Sequence, residues 1–271
     1  MRGQNLKIAL LAGYGKLPNY AFENIKNMGV DYIVIALSEE CDGVFEGCKK
    51  LYNFSVGQVG KIIKTLKNDQ VTHVVFAGKV NKSLIYNNLK LDLKALKMLF
   101  NLKDRKDDTI MLAVVKELQE NGIEVLRQTD ILKSLLIPAG VVVGKKPDKK
   151  LLEDIEFGFS IAKELGRLDI GQTVVVKDKA VMAVEAIEGT DKAIERGLSL
   201  AKRDGVVVKV SKPDQDERFD VPTVGVDTLE KIANNSGRCL AIEAEKTFVV
   251  DFERFKEFAN KNKLTIISYQ R

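Results

Sequence analysis

The chain has no tryptophan, a single histidine, three cysteines and five prolines. Each scarcity closes a route. Without tryptophan, and with aromatic residues at 7%, there is little from which to build a stacking platform for bases or sugars. The lone His73 cannot form a histidine cluster, and Cys41 and Cys48 lack the spacing of a zinc knuckle, so a zinc site is not expected. The odd set Cys41, Cys48 and Cys239, with no signal-peptide pattern, fits a reducing, cytosolic setting rather than a disulfide framework. No apolar run suits a transmembrane helix. The most apolar stretch, 131–144, is broken by Lys133, Ser134 and Pro138. A lipid substrate would therefore be met at the membrane surface.

What is present is enough for two cores. At 271 residues the length favours two domains. Hydrophobic residues make up 45% of the chain and charged ones 30%. The net charge of +5 is mild, and the lysines alternate with acids. That pattern reads as solvated faces and not as a nucleic-acid footprint, while leaving room for an anionic surface or substrate.

Compact apolar runs at 6–11, 32–37 and 71–77 read as buried parallel strands. Helical patterns lie between them, from Pro18 to about Met28 and over 59–68, then over 108–121 before a short strand at 124–126. Strands alternating with helices predict an α/β, Rossmann-like parallel sheet for residues 1–130. Pro138-Ala139-Gly140 and Lys145-Lys146-Pro147 mark 131–147 as a linker. A long amphipathic helix over 149–165 opens a second, distinct α/β domain with a mixed sheet, 148–271. Its strands 173–177 and 181–186 flank Asp178-Lys179 as a tight hairpin turn. Helices at 190–202, 228–234 and 252–262 and strands at 206–210, 240–243, 247–250 and 265–268 complete it.

Five polar clusters are candidates for the chemistry. Gly13-Tyr14-Gly15 follows the first strand, where glycines let backbone N–H groups approach an anion at a helix start. A dinucleotide fingerprint wants a third glycine, and Pro18 stands there instead; Glu39 sits where an acidic ribose reader belongs. The plain alternative is a tight turn. Gly78-Lys79 follows the third strand, and its lysine either meets a phosphate or is a surface residue. Asp107-Asp108-Thr109 is most simply a capped helix start.

In the second half, Glu185 and Glu188 flank the end of a strand, and Gly189-Thr190-Asp191 begins a helix. That helix start suits a phosphoryl oxygen, with the carboxylates orienting a cation or a water. An ordinary N-cap at Thr190 accounts for Thr190 and Asp191, but not for the two glutamates. The loop 212–223 brings Asp214, Asp216, Glu217 and Asp220, which are hard oxygen donors for Mg²⁺, together with Lys209, Lys212 and Arg218. A solvated loop is the bland reading, and Pro213 and Pro222 stiffen it.

In this order the chain resembles the LpxI family, UDP-2,3-diacylglucosamine pyrophosphatases of bacterial lipid A synthesis. The matching words are Ala12–Pro18, Gly78-Lys79-Val80, Asp107-Asp108, Asp154–Gly158, Leu165–Gln172, Ala183–Asp191 and Lys212–Thr223. They span nearly the full length. The second-half words are the specific ones, because no common fold demands them. Tyr14 departs from the family's more usual triple glycine.

The resemblance implies a Mg²⁺-dependent hydrolase in which water attacks the α-phosphorus of UDP-2,3-diacylglucosamine, releasing UMP and the acylated sugar 1-phosphate (lipid X). It implies a homodimer of two-domain subunits with substrate held between the domains, cytoplasmic and peripheral at the inner face of the membrane, with no nucleic-acid partner. An essential aspartate of the family matches Asp220. On this expectation Asp220 and Asp216 hold the metal and act in catalysis with Glu185 and Asp191. Gly13, Gly15, Lys79, Gln172, Glu188, Thr190, Lys209 and Lys212 contact substrate. Two other readings compete. One is a non-catalytic nucleotide-sugar or lipid-binding protein. The other is an NAD-dependent oxidoreductase resting on Gly13, Gly15 and Glu39, which leaves the acidic second half unexplained.

Overall fold

A computed structural model describes residues 6–37, 41, 43–80, 91–104 and 106–271. The chain divides into two compact units, Met1–Lys133 with Glu217–Phe219, and Ser134–Asp216 with Asp220–Arg271.

The first unit is built on a five-stranded, wholly parallel sheet. Its strands are β1 (Lys7–Ala12), β2 (Asp31–Ala36), β3 (Leu51–Asn53), β4 (His73–Ala77) and β5 (Glu124–Val125), in the order β3-β2-β1-β4-β5. The central strands β1 and β4 are buried at every position after the first, as a sheet covered on both faces requires. Helices α1 (Leu17–Asn27), α2 (Val59–Asn68), α3 (Leu93–Phe100) and α4 (Asp107–Glu120), with the short α5 (Gln128–Ile131), complete the described part. In α2 the buried residues Val59, Ile62, Ile63 and Leu66 recur at helical spacing and form one face toward the core.

Neither β3 nor α3 was expected from sequence. β3 is too short to show a period, and two of its three residues are exposed. The start of α4 also differs from expectation: its N-cap is Lys106. Asp104, upstream, accepts from the Lys106 N–H at 3.1 Å and the Thr109 hydroxyl at 2.6 Å.

The second unit holds a six-stranded mixed sheet of order β6-β13-β11-β9-β7-β8. The strands are β6 (Gly140–Val143), β7 (Thr173–Lys177), β8 (Ala180–Val184), β9 (Gly205–Lys209), β11 (Gly237–Glu243) and β13 (Thr265–Tyr269). Strands β9, β11 and β13 run parallel, β7 and β8 form the expected hairpin, and β6 lies antiparallel on β13. Asp178 and Lys179 have φ of 51° and 57°, the left-handed pair that a two-residue hairpin turn requires.

Helices α6 (Lys149–Arg167), α7 (Thr190–Ala201), α8 (Val226–Asn234) and α9 (Phe252–Lys261) cover the sheet. The stretch 131–147 thus contributes a sheet strand as well as a connection. The apolar run at 247–250 contributes β12 (Phe248–Val249), which leaves the main sheet to pair with β10 (Thr223–Val224).

Candidate functional site

In the first unit the strand order reverses between β1 and β4, where open α/β sheets bind ligands. Here that point is closed by backbone. The Gly13 N–H donates to the Ala77 carbonyl at 2.8 Å, and the Tyr14 N–H donates to the Lys79 carbonyl at 2.8 Å. The Lys79 N–H donates back to the Tyr14 carbonyl at 2.9 Å.

A Cβ at Gly13 would overlap the Lys79 carbonyl, so the glycine is there for close approach. The expectation that these N–H groups meet an anion fails for Gly13 and Tyr14, because both donate within the protein. This also removes two donors that a dinucleotide pyrophosphate would need. Gly15 sits at φ 96° and shapes the turn, and the Lys79 side chain is exposed. Glu39 lies outside the described residues.

In the second unit the candidate residues gather at one end of the sheet, where parallel β9 and β11 finish. Thr173 of β7 is in register with Lys209 of β9, and the Glu185 N–H donates to the Thr173 carbonyl at 2.8 Å. Thr190 donates its hydroxyl to Glu185 Oε1 at 2.8 Å, and Lys209 Nζ lies 3.4 Å from that hydroxyl. Lys209 is 7% exposed and also donates to the Thr223 carbonyl at 3.3 Å. It therefore joins the two ends of the loop that carries Asp216 and Asp220.

Gly171 has no room for a side chain against the Glu185 backbone, which brings Gln172 to the same place. Gln172 Oε1 and Thr173 Oγ1 are buried there with no hydrogen-bond partner in the protein. Such atoms suit a polar ligand or water.

Thr190 is the first residue of α7 and not its cap. The cap is Gly189, at φ 83°, which leaves the Thr190 hydroxyl directed to Glu185. Glu188 takes Arg196 Nη2 at 2.6 Å and the Ala186 N–H at 3.2 Å. The Arg196 hydrogen bond first, then backbone donors, hold its carboxyl below the ordinary range. Asp191 is exposed in the first turn of α7 and acts electrostatically on Lys231, whose main partner is Glu195. The structure thus brings Gln172, Glu185, Thr190 and Lys209 together and gives Glu188 and Asp191 other partners.

The loop after β9 is internally braced. The Lys212 N–H donates to Gln215 Oε1 at 2.9 Å, and Gln215 Nε2 donates to Asp220 Oδ2. The Asp220 N–H donates to the Asp216 carbonyl at 3.0 Å, closing a turn between the two aspartates. Within that turn Glu217–Phe219 counts with the first unit. The Glu217 carbonyl accepts from the Gln128 N–H at 2.7 Å, and its carboxylate accepts from the Thr129 hydroxyl at 2.9 Å. The ammonium of Lys212, expected at phosphate, lies 2.8 Å from Asp169 Oδ1.

Among the described residues no three or more His, Cys, Asp or Glu side chains form a metal-holding group. A Mg²⁺ ion needs no such cage. It commonly takes one or two carboxylates and completes its shell with phosphate oxygens and water. Asp216 and Asp220 share one turn, and their carboxylates are the donor type such a site uses.

Sequence reasoning missed Gln215, because attention fell on the acids around it. It also missed Lys163 and Glu243. Lys163 of α6 reaches Glu243 Oε1 at 2.9 Å and the Ser211 carbonyl at 2.8 Å, while the Ser211 N–H donates to Glu243 Oε2 at 2.8 Å. This ion pair ties the ends of β9 and β11 beneath the loop. A carboxylate ending an apolar strand was the available signal.

Residues 7–135 match the LpxI N-terminal domain and residues 138–267 the LpxI C-terminal domain. The UDP-2,3-diacylglucosamine pyrophosphatase LpxI of Caulobacter vibrioides is 32% identical over 258 residues, covering 91% of each chain. Among solved structures, the N5-carboxyaminoimidazole ribonucleotide synthetase of Thermotoga maritima aligns at 15% identity and a TM-score of 0.24. That alignment covers 68% of this chain and 42% of the other, and it carries no argument.

Proposed function

The chain belongs to the LpxI family, and from that premise we propose that it hydrolyses the pyrophosphate of UDP-2,3-diacylglucosamine. Water attacks the α-phosphorus, the bond from that phosphorus to the bridging oxygen breaks, and UMP and 2,3-diacylglucosamine 1-phosphate leave. The observation that carries the residue assignment is the brace on Asp220, a carboxylate held by Gln215 in a turn shared with Asp216.

Asp220 orients the attacking water and takes its proton on the carboxylate. Gln215 fixes the direction in which that carboxylate points. Asp216 and Asp220 are the residues that would hold Mg²⁺, which when bound supplies positive charge to the pyrophosphate oxygens and acidifies water. Lys209 and Thr190 hold phosphoryl oxygens at the strand end, with Glu185 accepting from Thr190 so that its hydroxyl stays oriented. Gln172 lies at the same strand end, its N–H 3.5 Å from Glu185 Oε2. In the first unit Lys79 is exposed, and Gly13 and Gly15 shape its loop. Lys212 acts at one remove, its N–H holding Gln215, while Asp191 and Glu188 take no part in this scheme.

The working form is a homodimer that meets its lipid substrate at the inner face of the cytoplasmic membrane. No described helix is long and apolar enough to cross a membrane, so the substrate's acyl chains are reached from the surface.

The test is incubation of purified protein with UDP-2,3-diacylglucosamine in Mg²⁺ or EDTA, with both products followed by mass spectrometry. Equal release of UMP and the sugar 1-phosphate in Mg²⁺, and none in EDTA, supports the proposal. Absence of turnover by folded protein overturns it.

A further inference from the structure

Helix α3 in the first unit is turned the wrong way round for an ordinary surface helix. Six of its eight residues are apolar, in the run Leu93-Lys94-Ala95-Leu96-Lys97-Met98-Leu99-Phe100, yet only Ala95 is buried. Leu93 is 87% exposed and Phe100 86%, with Leu96 at 37%. At 3.6 residues per turn, positions 93, 96 and 100 share one face. The contrast with α2 is direct, since all four apolar residues of its stripe are buried.

The outward stripe is not the product of a loosely held helix. Asp92 caps α3 by accepting the Ala95 N–H at 2.9 Å, and its other oxygen accepts the Gly60 N–H of α2 at 2.7 Å. Lys94, on the inner side, pairs with Glu117 of α4 at 2.6 Å. Met98 packs against the unit's core. The helix is therefore anchored through its polar and inner residues, and its largest side chains face water.

We propose that this face of α3 is a docking surface for an anionic lipid bilayer. Exposed Leu and Phe on one stripe insert at the boundary between headgroups and acyl chains, as interfacial helices do. The charge beside the stripe is basic: Lys97 lies next to it and Lys103 follows it, both exposed, with Asp104, Lys106 and Asp108 beyond them around the start of α4. Long lysine side chains bury their stems while their ammonium groups stay at headgroup level. The inference deepens the lipid-substrate reading of the preceding section by naming the surface that brings the enzyme to its substrate.

The experiment is flotation of the full chain with phosphatidylcholine vesicles, with and without phosphatidylglycerol. It compares wild type, the double variant Leu93→Ser/Phe100→Ser and the charge variant Lys97→Glu/Lys103→Glu. Wild type should float with the mixed vesicles, less so in high salt, and weakly with phosphatidylcholine alone. The apolar variant should lose at least about tenfold in partitioning, and the charge variant should lose its preference for anionic vesicles.

Both variants should keep wild-type thermal unfolding and wild-type UMP release from detergent-dispersed substrate, because no contact of the core or of the proposed site is changed. Equal flotation of all three proteins overturns the docking surface and leaves the catalytic reading intact. A fall in self-association in Leu93→Ser/Phe100→Ser with unchanged flotation also overturns it, assigning the face to a second copy of the chain. Loss of UMP release by wild type on dispersed substrate would contradict the catalytic reading and leave the docking surface standing.

Discussion

Gln215 donates its side-chain amide to Asp220 while its own carbonyl accepts the Lys212 N–H at 2.9 Å. The amide cannot turn without losing one bond or the other, so the backbone at Lys212 sets the direction of the Asp220 carboxylate. Asp220→Ala should lower kcat by about a thousandfold while the protein unfolds at the same temperature. Gln215→Ala should lower kcat about 10- to 100-fold, the range for removing a residue that orients a metal ligand, with KM little changed. Gln215→Glu sets a second negative charge beside Asp220 and should move the acid limb of the pH–rate profile upward. An unshifted profile in Gln215→Glu would remove the positioning role.

Thr190 joins Glu185 to Lys209, with 2.8 Å on one side and 3.4 Å on the other. Lys209→Met keeps the aliphatic bulk of a buried residue and deletes its charge. Steady-state kinetics should show kcat/KM reduced about 100-fold, with the chemical denaturation midpoint near wild type. Thr190→Val should show a smaller loss in the same direction. A wild-type kcat/KM in Lys209→Met would take this strand end out of the reaction.

Gly171 lies against the Glu185 backbone with no space for a methyl group. Gly171→Ala should destabilise the second unit by about 1–3 kcal/mol, as overpacking does, and should disturb Gln172 and Glu185 together. Urea unfolding gives the first effect and substrate affinity the second. Gly122→Ala is the control, because a Cβ there meets nothing within 4 Å. Its cost should come only from its φ of 77°.

Asp69 gives the first unit a pH dependence. Burial pushes its carboxyl upward, but hydrogen bonds from Lys50 and Tyr52 outweigh burial and bring it below 3.8. A lowered folded-state pKa contributes stability above the unfolded value, and that stability disappears as pH falls through the folded value. Asp69→Asn should therefore be less stable than wild type at neutral pH by about 1–2 kcal/mol, the low part of the range because Lys50 is half exposed. The difference should begin to shrink as pH falls below the ordinary carboxylate pKa and vanish only below the lowered folded-state value. A gap that stays constant down to that acid range would show that the ion pair is not its source.

The parts of the fold legible in sequence were those with a strong period. The runs read at 6–11, 32–37 and 71–77 appear as β1, β2 and β4, displaced by one or two residues at their ends. The hairpin at Asp178-Lys179 was legible because a short polar pair, opening on an aspartate that tolerates the left-handed region, separates two apolar strand runs. What escaped lacked a local signal. β3 has three residues, β6 borrows its identity from pairing with β13, and β12 resembles a strand of the main sheet until its partner proves to be β10. Helix α3 escaped for a different reason: it has only eight residues, six of them apolar, too short a run for a helical period to stand out.

The candidate site was legible as polar words and not as contacts. Nothing in Gly13-Tyr14-Gly15 reveals that two of its N–H groups are already donated to Ala77 and Lys79. Nor does the loop sequence show that Lys212 turns to Asp169, or that Gln215 stands behind Asp220. Those choices are made between residues far apart in the chain, or by a turn whose closure depends on them.

The most direct test of the central claim is turnover of UDP-2,3-diacylglucosamine in ¹⁸O-labelled water, with the isotope located by mass spectrometry. Attack at the α-phosphorus places the label in UMP and none in the acylated sugar 1-phosphate. Label in the sugar phosphate would contradict it, moving the attack to the other phosphorus and reversing the roles assigned around Asp220.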